Sequence, residues 1–123
     1  MSEDSLWPRA SSWLQMANDL PTQLGLLGVP AARTSISATG ADHTPAGIRA
    51  ALASFSTFSY SSQKDLREVS FADFGDSKQP DSPEGESRTM DLAKRVAHNS
   101  ELTIALGGDN SITYAVMRGV FGE

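Results

Sequence analysis

Apolar and polar residues follow one another along the chain in blocks whose periods predict strands and helices in turn. Continuous apolar runs at 23–29, 69–74 and 101–106 have the length and pattern of strands that are covered on both faces. Between and after these runs, apolar residues recur every three to four positions, which is the helical period. Strands that alternate with helices predict an α/β fold with a parallel sheet, right-handed crossovers and helices packed on its faces.

Three helices are predicted to follow the three strands. The first begins at Thr44-Pro45, because threonine is a preferred N-cap and proline is favoured at the first helical position. Its predicted buried stripe is Ile48, Ala51, Leu52 and Phe55. The second helix is predicted from 87 to about 99, and the third starts at Ile112.

The remaining segments are predicted as a leader and as connections. Residues 1–22 form the leader, ahead of an α/β domain at 23–123, and carry a short helix whose apolar stripe is Ala10, Trp13, Leu14 and Ala17. The aperiodic segment 31–43 is long for a compact domain, as functional loops often are. The segment 56–62 fits either an edge strand or an irregular connection, and 77–86 is predicted as a flexible surface loop.

Composition narrows the function classes. The 123 residues suffice for one domain, and a net charge of −5 argues against binding to nucleic acid or to an anionic membrane. No apolar stretch is long enough to span a bilayer, and the acidic N-terminus has no secretory signal. The absence of cysteine excludes disulfides and thiolate chemistry. We therefore expect a cytoplasmic protein without membrane or nucleic-acid partners.

The third strand runs directly into a polar turn, Gly107-Gly108-Asp109-Asn110-Ser111. Open α/β sheets bind ligands at the carboxyl ends of their strands, so this turn is a candidate site. Three other interpretations stay open. Asn110 and Ser111 would cap the following helix, Asp109 would accept hydrogen bonds from loop N–H groups, or the helix N-terminus would bind a phosphate or nucleotide. The sequence does not favour a phosphate or nucleotide site, because the turn has neither the glycine spacing of dinucleotide-binding folds nor that of a P-loop.

Three segments, in this order and spacing, resemble the ureohydrolase family of arginases, agmatinases and formiminoglutamases. They are Leu26-Leu27-Gly28-Val29-Pro30 with Gly40-Ala41-Asp42-His43-Thr44-Pro45-Ala46-Gly47-Ile48-Arg49, then Asp73-Phe74-Gly75-Asp76, then Leu106-Gly107-Gly108-Asp109-Asn110-Ser111-Ile112-Thr113. The resemblance covers about residues 23–121. It implies the N-terminal portion of a three-layer sandwich, with about three of the family's eight parallel strands, in a homo-oligomer. Within it, Arg49 is expected to anchor the first helix through a salt bridge.

The resemblance also implies a chemistry. Family members hydrolyse C–N bonds of linear guanidino, amidino or formimino compounds, mostly with two Mn²⁺ ions that lower the pKa of a shared water. Because the segment 31–43 departs most from the arginase pattern, an agmatinase- or formiminoglutamase-like substrate is favoured.

The implied site residues are few. Asn110 stands where the family has a histidine ligand, and its amide oxygen is a weaker donor than imidazole. Asp109 is a second, weak candidate ligand, and His43 in the long loop is a candidate substrate contact. No residue is assigned as catalytic, because the family's other ligands are missing from this sequence. We therefore expect the chain to be inactive by itself. The alternative is a non-catalytic pseudo-enzyme or oligomer-interaction module that uses the open edge of the third strand.

Overall fold

The computed structural model describes residues 5–122. Its helices and strands, in chain order, are α1 Ala10–Trp13, β1 Gln15–Met16, β2 Thr22–Val29, α2 Thr44–Ala51, β3 Phe58–Ser59, β4 Lys64–Asp65, β5 Phe71–Asp76, α3 Pro83–Asn99, β6 Ser100–Gly107 and α4 Ile112–Phe121, with 3-10 turns at Ala41–His43, Leu52–Ser54 and Leu66–Glu68.

The larger sheet has four parallel strands in the order β1-β5-β2-β6. The three predicted strands are β2, β5 and β6, and their parallel arrangement confirms the α/β prediction. Strand β2 is central, and its side chains Leu26 and Leu27 are both buried, as the continuous apolar run indicated. Strands β5 and β6 flank β2 on its two sides. Because all three strands run parallel, their carboxyl ends lie at the same edge of the sheet.

Helices cover both faces of this sheet, which makes three layers. On one face, Leu27 and Val29 pack with Val96 of α3 and Val116 of α4 in a single apolar cluster. On the other face, a Cβ added to Gly28 would meet Pro45 of α2. The sandwich predicted from the pattern is therefore present in the part of the chain that the structure describes.

The leader differs from its prediction. Only Ala10–Trp13 is helical, and Gln15–Met16 instead pairs with β5 as a fourth strand. The prediction of a helix extending through Ala17 is therefore wrong: the Ala17 N–H donates to the Asp73 carbonyl at 2.9 Å, and this backbone pairing ends the helix. The sheet accordingly has four strands instead of three. Residues 1–4 of the predicted leader lie outside the described residues.

Helix α2 differs from its prediction at both its start and its buried face. Thr44 is the first helical residue and not the cap, because the 3-10 turn Ala41–His43 leads straight into the helix. Three of the four residues of the predicted stripe, Ile48, Ala51 and Phe55, are exposed and Leu52 is half-buried. Pro45 is buried instead. Helix α1 contacts α2 and the 3-10 turn that follows it, but most of this apolar stripe stays exposed.

The two uncertain connections have defined structures. Residues 58–65 form an antiparallel hairpin of β3 and β4, which answers the question left open at 56–62. The flexible loop predicted at 77–86 is wrong in its second half, because α3 begins at Pro83 with Ser82 as its N-cap. The Ser82 hydroxyl accepts a hydrogen bond from the Gly85 N–H at 2.9 Å, which satisfies one of the free donors of the helix start.

Candidate site at the carboxyl edge of the sheet

The turn after β6 is held against the end of β2 by backbone hydrogen bonds. The Asp109 N–H donates to the Ala31 carbonyl at 2.9 Å, and the Gly108 N–H donates to the Ala41 carbonyl at 3.3 Å. Gly108 has φ +70°, and a Cβ there would lie 2.3 Å from the Val29 carbonyl oxygen. Only glycine fits this close approach, which brings the polar turn beside the loop that starts at residue 31.

Asp109 is the centre of a hydrogen-bonded hub. One carboxylate oxygen accepts from the Thr34 N–H at 3.1 Å, the Thr34 hydroxyl at 2.9 Å and the Ser35 hydroxyl at 3.5 Å. The other oxygen accepts from the Ser111 N–H at 3.0 Å and the Ser111 hydroxyl at 2.5 Å. The hydrogen bond from Ser111, followed by those from Thr34, lowers the pKa of Asp109 below its usual value. The Asp109 carboxylate therefore holds the turn and the loop together. This agrees with the interpretation in which Asp109 accepts hydrogen bonds from loop N–H groups.

The start of α4 lacks the side-chain cap bond that the sequence suggested. Ser111 has helical backbone angles and makes no side-chain cap bond, and the side chain of Asn110 also accepts nothing from the helix. The Asp109 carboxylate accepts the Ser111 N–H instead. Ser111 therefore occupies the N-cap position of α4, but neither its side chain nor that of Asn110 makes a cap hydrogen bond. A carboxylate already present at this helix start also repels a phosphate, which weakens the nucleotide hypothesis.

Asn110 is the unused polar side chain of the turn. Its backbone carbonyl accepts from the Thr113 N–H at 3.3 Å, but its side chain is exposed and has no hydrogen-bond partner among residues 5–122. It therefore stands at the carboxyl edge of the sheet with both its amide oxygen and its amide nitrogen available to a ligand.

His43 lies on a turn that contacts the same region. It ends the 3-10 turn whose Ala41 carbonyl accepts the Gly108 N–H, so the turn after β6 and the His43 turn are joined. The His43 side chain is 86% exposed, and its Nε2 lies 4.0 Å from an Asp42 oxygen. His43 thus lies at the rim of the candidate site, and no described contact holds its ring in one orientation.

The end of β5 carries an ion-pair network. Arg49 of α2 donates from Nε and Nη2 to the two Asp73 oxygens, both at 2.8 Å, and from Nη1 to Asp76 at 2.5 Å. The hydrogen bonds to Asp73 contribute most to raising the pKa of Arg49 above its usual value. The expectation that Arg49 anchors the first helix is confirmed, and both carboxylates are occupied.

A second carboxylate hub was missed by the sequence analysis. Asp81 accepts the Ala32 N–H at 3.1 Å and the Arg33 N–H at 3.2 Å. Together with Asp109 it holds residues 32–35, and a cleft of about 500 Å³ lies between this loop and the starts of α3 and α4. No periodic signal marks Asp81, because its partners lie 48 and 49 positions away.

Comparison with known proteins identifies the family. The family model of the arginase family matches residues 22–123. The chain belongs to the arginase family. It is 34% identical over 94 residues to a formimidoylglutamase of Halalkalibacterium halodurans, an alignment that covers 73% of this chain and 30% of the relative. The chain thus spans about a third of the length of that curated relative.

Solved structures of arginase-family proteins have the same fold. Formimidoylglutamase of Bacillus subtilis superposes with a TM-score of 0.84 at 24% identity, over 98% of this chain and 39% of that one. Formiminoglutamase of Trypanosoma cruzi, solved with Mn²⁺, superposes with a TM-score of 0.77 at 19% identity, over 94% and 42%. The ureohydrolase resemblance is therefore confirmed, and this chain corresponds to less than half of each structure.

The residues of this part of the arginase fold do not fit a two-manganese centre. Within residues 5–122 no group of three or more His, Cys, Asp or Glu side chains is placed to hold a metal. The carboxylates at this edge are already occupied, Asp73 and Asp76 by Arg49 and Asp109 by hydroxyl and amide donors. In the turn after β6, the side-chain oxygen of Asn110 has no hydrogen-bond partner among residues 5–122. Among residues 5–122, none of the helices has the length and apolar composition that crossing a bilayer requires.

Proposed function

We propose that this chain is the N-terminal portion of a formiminoglutamase-like hydrolase, which cleaves a C–N bond of a linear formimino compound. The observation that carries the proposal is the 34% identity to a formimidoylglutamase over 94 residues. Agmatinase-like activity on a guanidino substrate is the second candidate, since a hypothetical agmatinase of Burkholderia thailandensis shares the fold at a TM-score of 0.78.

The chain by itself is proposed to be inactive. Manganese is assigned to the complete protein only, because the donors described above do not make a binding site for a metal pair. In the complete protein, Asn110 is proposed to contribute its amide oxygen to the metal site. Asp109 holds the turn that carries Asn110, and His43 is proposed to contact substrate at the rim.

Activity tests the first part of the proposal. The 123-residue chain and the complete protein are each incubated with Mn²⁺ and formiminoglutamate, agmatine or arginine, and product is quantified. We expect turnover by the complete protein alone, with the highest kcat/KM on formiminoglutamate. A preference for agmatine or arginine would replace the formimino assignment, and turnover by the 123-residue chain would disprove its inactivity.

Metal binding tests the role of Asn110. In the complete protein, Asn110→Ala is expected to weaken Mn²⁺ binding by about tenfold or more, measured by electron paramagnetic resonance of free Mn²⁺. The matched control is Asn99→Ala, which removes a half-buried asparagine at the opposite end of β6, whose side chain bonds the Arg95 carbonyl. Equal affinities for wild type and Asn110→Ala would remove Asn110 from the metal site.

A further inference from the structure

The dipeptide Asn-Ser occurs twice in the chain, as Asn99-Ser100 before β6 and as Asn110-Ser111 after it. Asparagine is a thermolabile residue, and a small following residue leaves its side chain open to attack by the next backbone nitrogen. That nitrogen bonds to the side-chain carbonyl carbon, the C–N bond of the amide breaks, and ammonia leaves with the proton of the backbone N–H. Water then opens the succinimide ring to aspartate or isoaspartate.

At Asn99 the structure holds the side chain that would be attacked. The Asn99 Nδ2 donates to the Arg95 carbonyl at 2.8 Å, one turn back along α3. The residue is half-buried, and Ser100 pairs with Thr22 in the sheet. The electrophile and the backbone nitrogen of this dipeptide are therefore both fixed by regular secondary structure.

At Asn110 the structure instead holds the attacking nitrogen. The Asn110 side chain is exposed and makes no hydrogen bond within the described chain. The Ser111 N–H, however, donates to the Asp109 carboxylate at 3.0 Å, and the Asn110 carbonyl accepts the Thr113 N–H at 3.3 Å. The Ser111 nitrogen must give up its bond to Asp109 before it can attack. A carboxylate beside this N–H also disfavours its loss of a proton, because like charges repel.

From these contacts we propose that Asn110-Ser111 is a latent deamidation site, and that the Asp109 carboxylate suppresses its reaction by holding the Ser111 N–H. The reaction would replace a neutral amide by a carboxylate directly beside Asp109. It needs only atoms of the turn and water, so the inference does not depend on which elements cover the turn. It also does not depend on the proposed hydrolase function, because no metal or substrate takes part.

The test is peptide mapping by mass spectrometry after prolonged incubation of the 123-residue chain in mildly alkaline buffer. The exchange of an amino for a hydroxyl group raises the mass, and fragmentation separates Asn110 from Asn99. We expect Asp109→Ala to deamidate at Asn110 about tenfold faster than wild type or more, the effect of losing one charge-assisted hydrogen bond. Wild type unfolded in urea should show a similar increase. Asn99-Ser100 is the internal control, and Asp109→Ala should leave its rate unchanged.

Two further variants separate the specific contact from a general loosening of the turn. Thr34→Val removes a hydroxyl donor to the other Asp109 oxygen but keeps the Ser111 N–H bond, so it should deamidate like wild type. Adding Ser111→Pro to Asp109→Ala removes the attacking N–H, and the Ser111 φ of −62° suits proline. This double variant should stop the reaction at Asn110.

Each outcome decides the proposal. Equal rates at Asn110 in wild type and Asp109→Ala overturn it, as does an equal increase in Thr34→Val or continued reaction in the double variant. Circular dichroism checks that Asp109→Ala is folded. If it is not, hydrogen exchange of wild type decides, because the Ser111 amide should be protected, and exchange at the rate of an unstructured chain would overturn the proposed restraint.

Discussion

Strands β5 and β6 end at the same edge of one sheet, yet their acidic residues are stabilised in different ways. At the end of β5, Asp73 and Asp76 both pair with one guanidinium, that of Arg49, which comes from a helix on the sheet face. After β6, Asp109 accepts only neutral hydroxyl and amide donors from loops. The first arrangement fixes a helix on the sheet, and the second fixes one loop against another.

The difference determines what each strand end leaves available. The ion-pair network uses both carboxylates at β5, so this end is structural. The hub at β6 also uses its carboxylate, but the next residue, Asn110, is left without a partner within residues 5–122. The site proposed at this edge would use an amide whose turn is held in place by a carboxylate, and variants at the two strand ends should separate effects on stability from effects on ligand binding.

Removal of Arg49 should have the largest effect on stability. Arg49→Met leaves two carboxylates without their cation, one of them Asp73, which is only 20% exposed. We expect the free energy of unfolding to fall by about 1–3 kcal/mol, below the value for a fully buried pair because Asp76 is 39% exposed. Urea unfolding followed by circular dichroism measures it.

The matched control for Arg49→Met is Arg67→Met, which breaks the exposed pair between Arg67 and Asp65 at 2.7 Å. Exposed pairs contribute little to stability, so its urea midpoint should stay close to that of wild type. Equal shifts of the urea midpoint in the two variants would mean that the network at β5 contributes no more to the free energy of unfolding than a surface pair does.

An added methyl group at Gly108 should have the next largest effect. Its Cβ would lie 2.3 Å from the Val29 carbonyl oxygen at φ +70°, so Gly108→Ala should destabilise the chain by about 1–3 kcal/mol. Gly47→Ala in α2 is the control, because a Cβ there meets nothing within 4 Å and alanine is the better helix former, by up to about 1 kcal/mol. Thermal unfolding of the two variants should therefore shift in opposite directions.

The sequence predicted the elements whose signals are local. Strand β2 and the strands β5 and β6 are apolar runs, and each was predicted within a few residues of its bounds. Strand β1 could not be predicted, because two exposed residues that pair at an edge leave no periodic pattern. The start of α3 was missed although Ser82-Pro83 carries the same kind of signal as Thr44-Pro45, since a run of polar residues around it favoured a loop.

Contacts distant in sequence account for the rest. The stripe of α2 shows which residues are apolar, but whether Ile48 is covered depends on elements far along the chain. The donors to Asp109 at Thr34 and Ser35 lie 75 and 74 residues away, so a local pattern could not identify them. Motifs named the candidate site residues, whereas the hydrogen-bond partners of those residues required the fold.

The pH dependence of the loop tests the hub at β6. Since the pKa of Asp109 lies below its usual value of 3.8 in the folded chain, the stabilisation it contributes is present above that value and is lost as the pH falls through the lower, folded pKa. The Thr34 amide resonance should therefore stay unchanged from neutral pH to about 4 and shift only in stronger acid. Asp109→Asn should abolish this titration, and a shift of the Thr34 amide near neutral pH would contradict the hub.

The smallest expected effect is at Asn110, and it completes the contrast between the two strand ends. Because its side chain is exposed and has no described partner, Asn110→Ala should change the free energy of unfolding by no more than about 0.5 kcal/mol. Asp109→Asn, one residue earlier, should lower the urea midpoint measurably, because its amide cannot accept all five donors that the carboxylate accepts. If Asn110→Ala is as destabilising as Asp109→Asn, then Asn110 has a structural partner, and an asparagine kept free for a ligand is the wrong description of this turn.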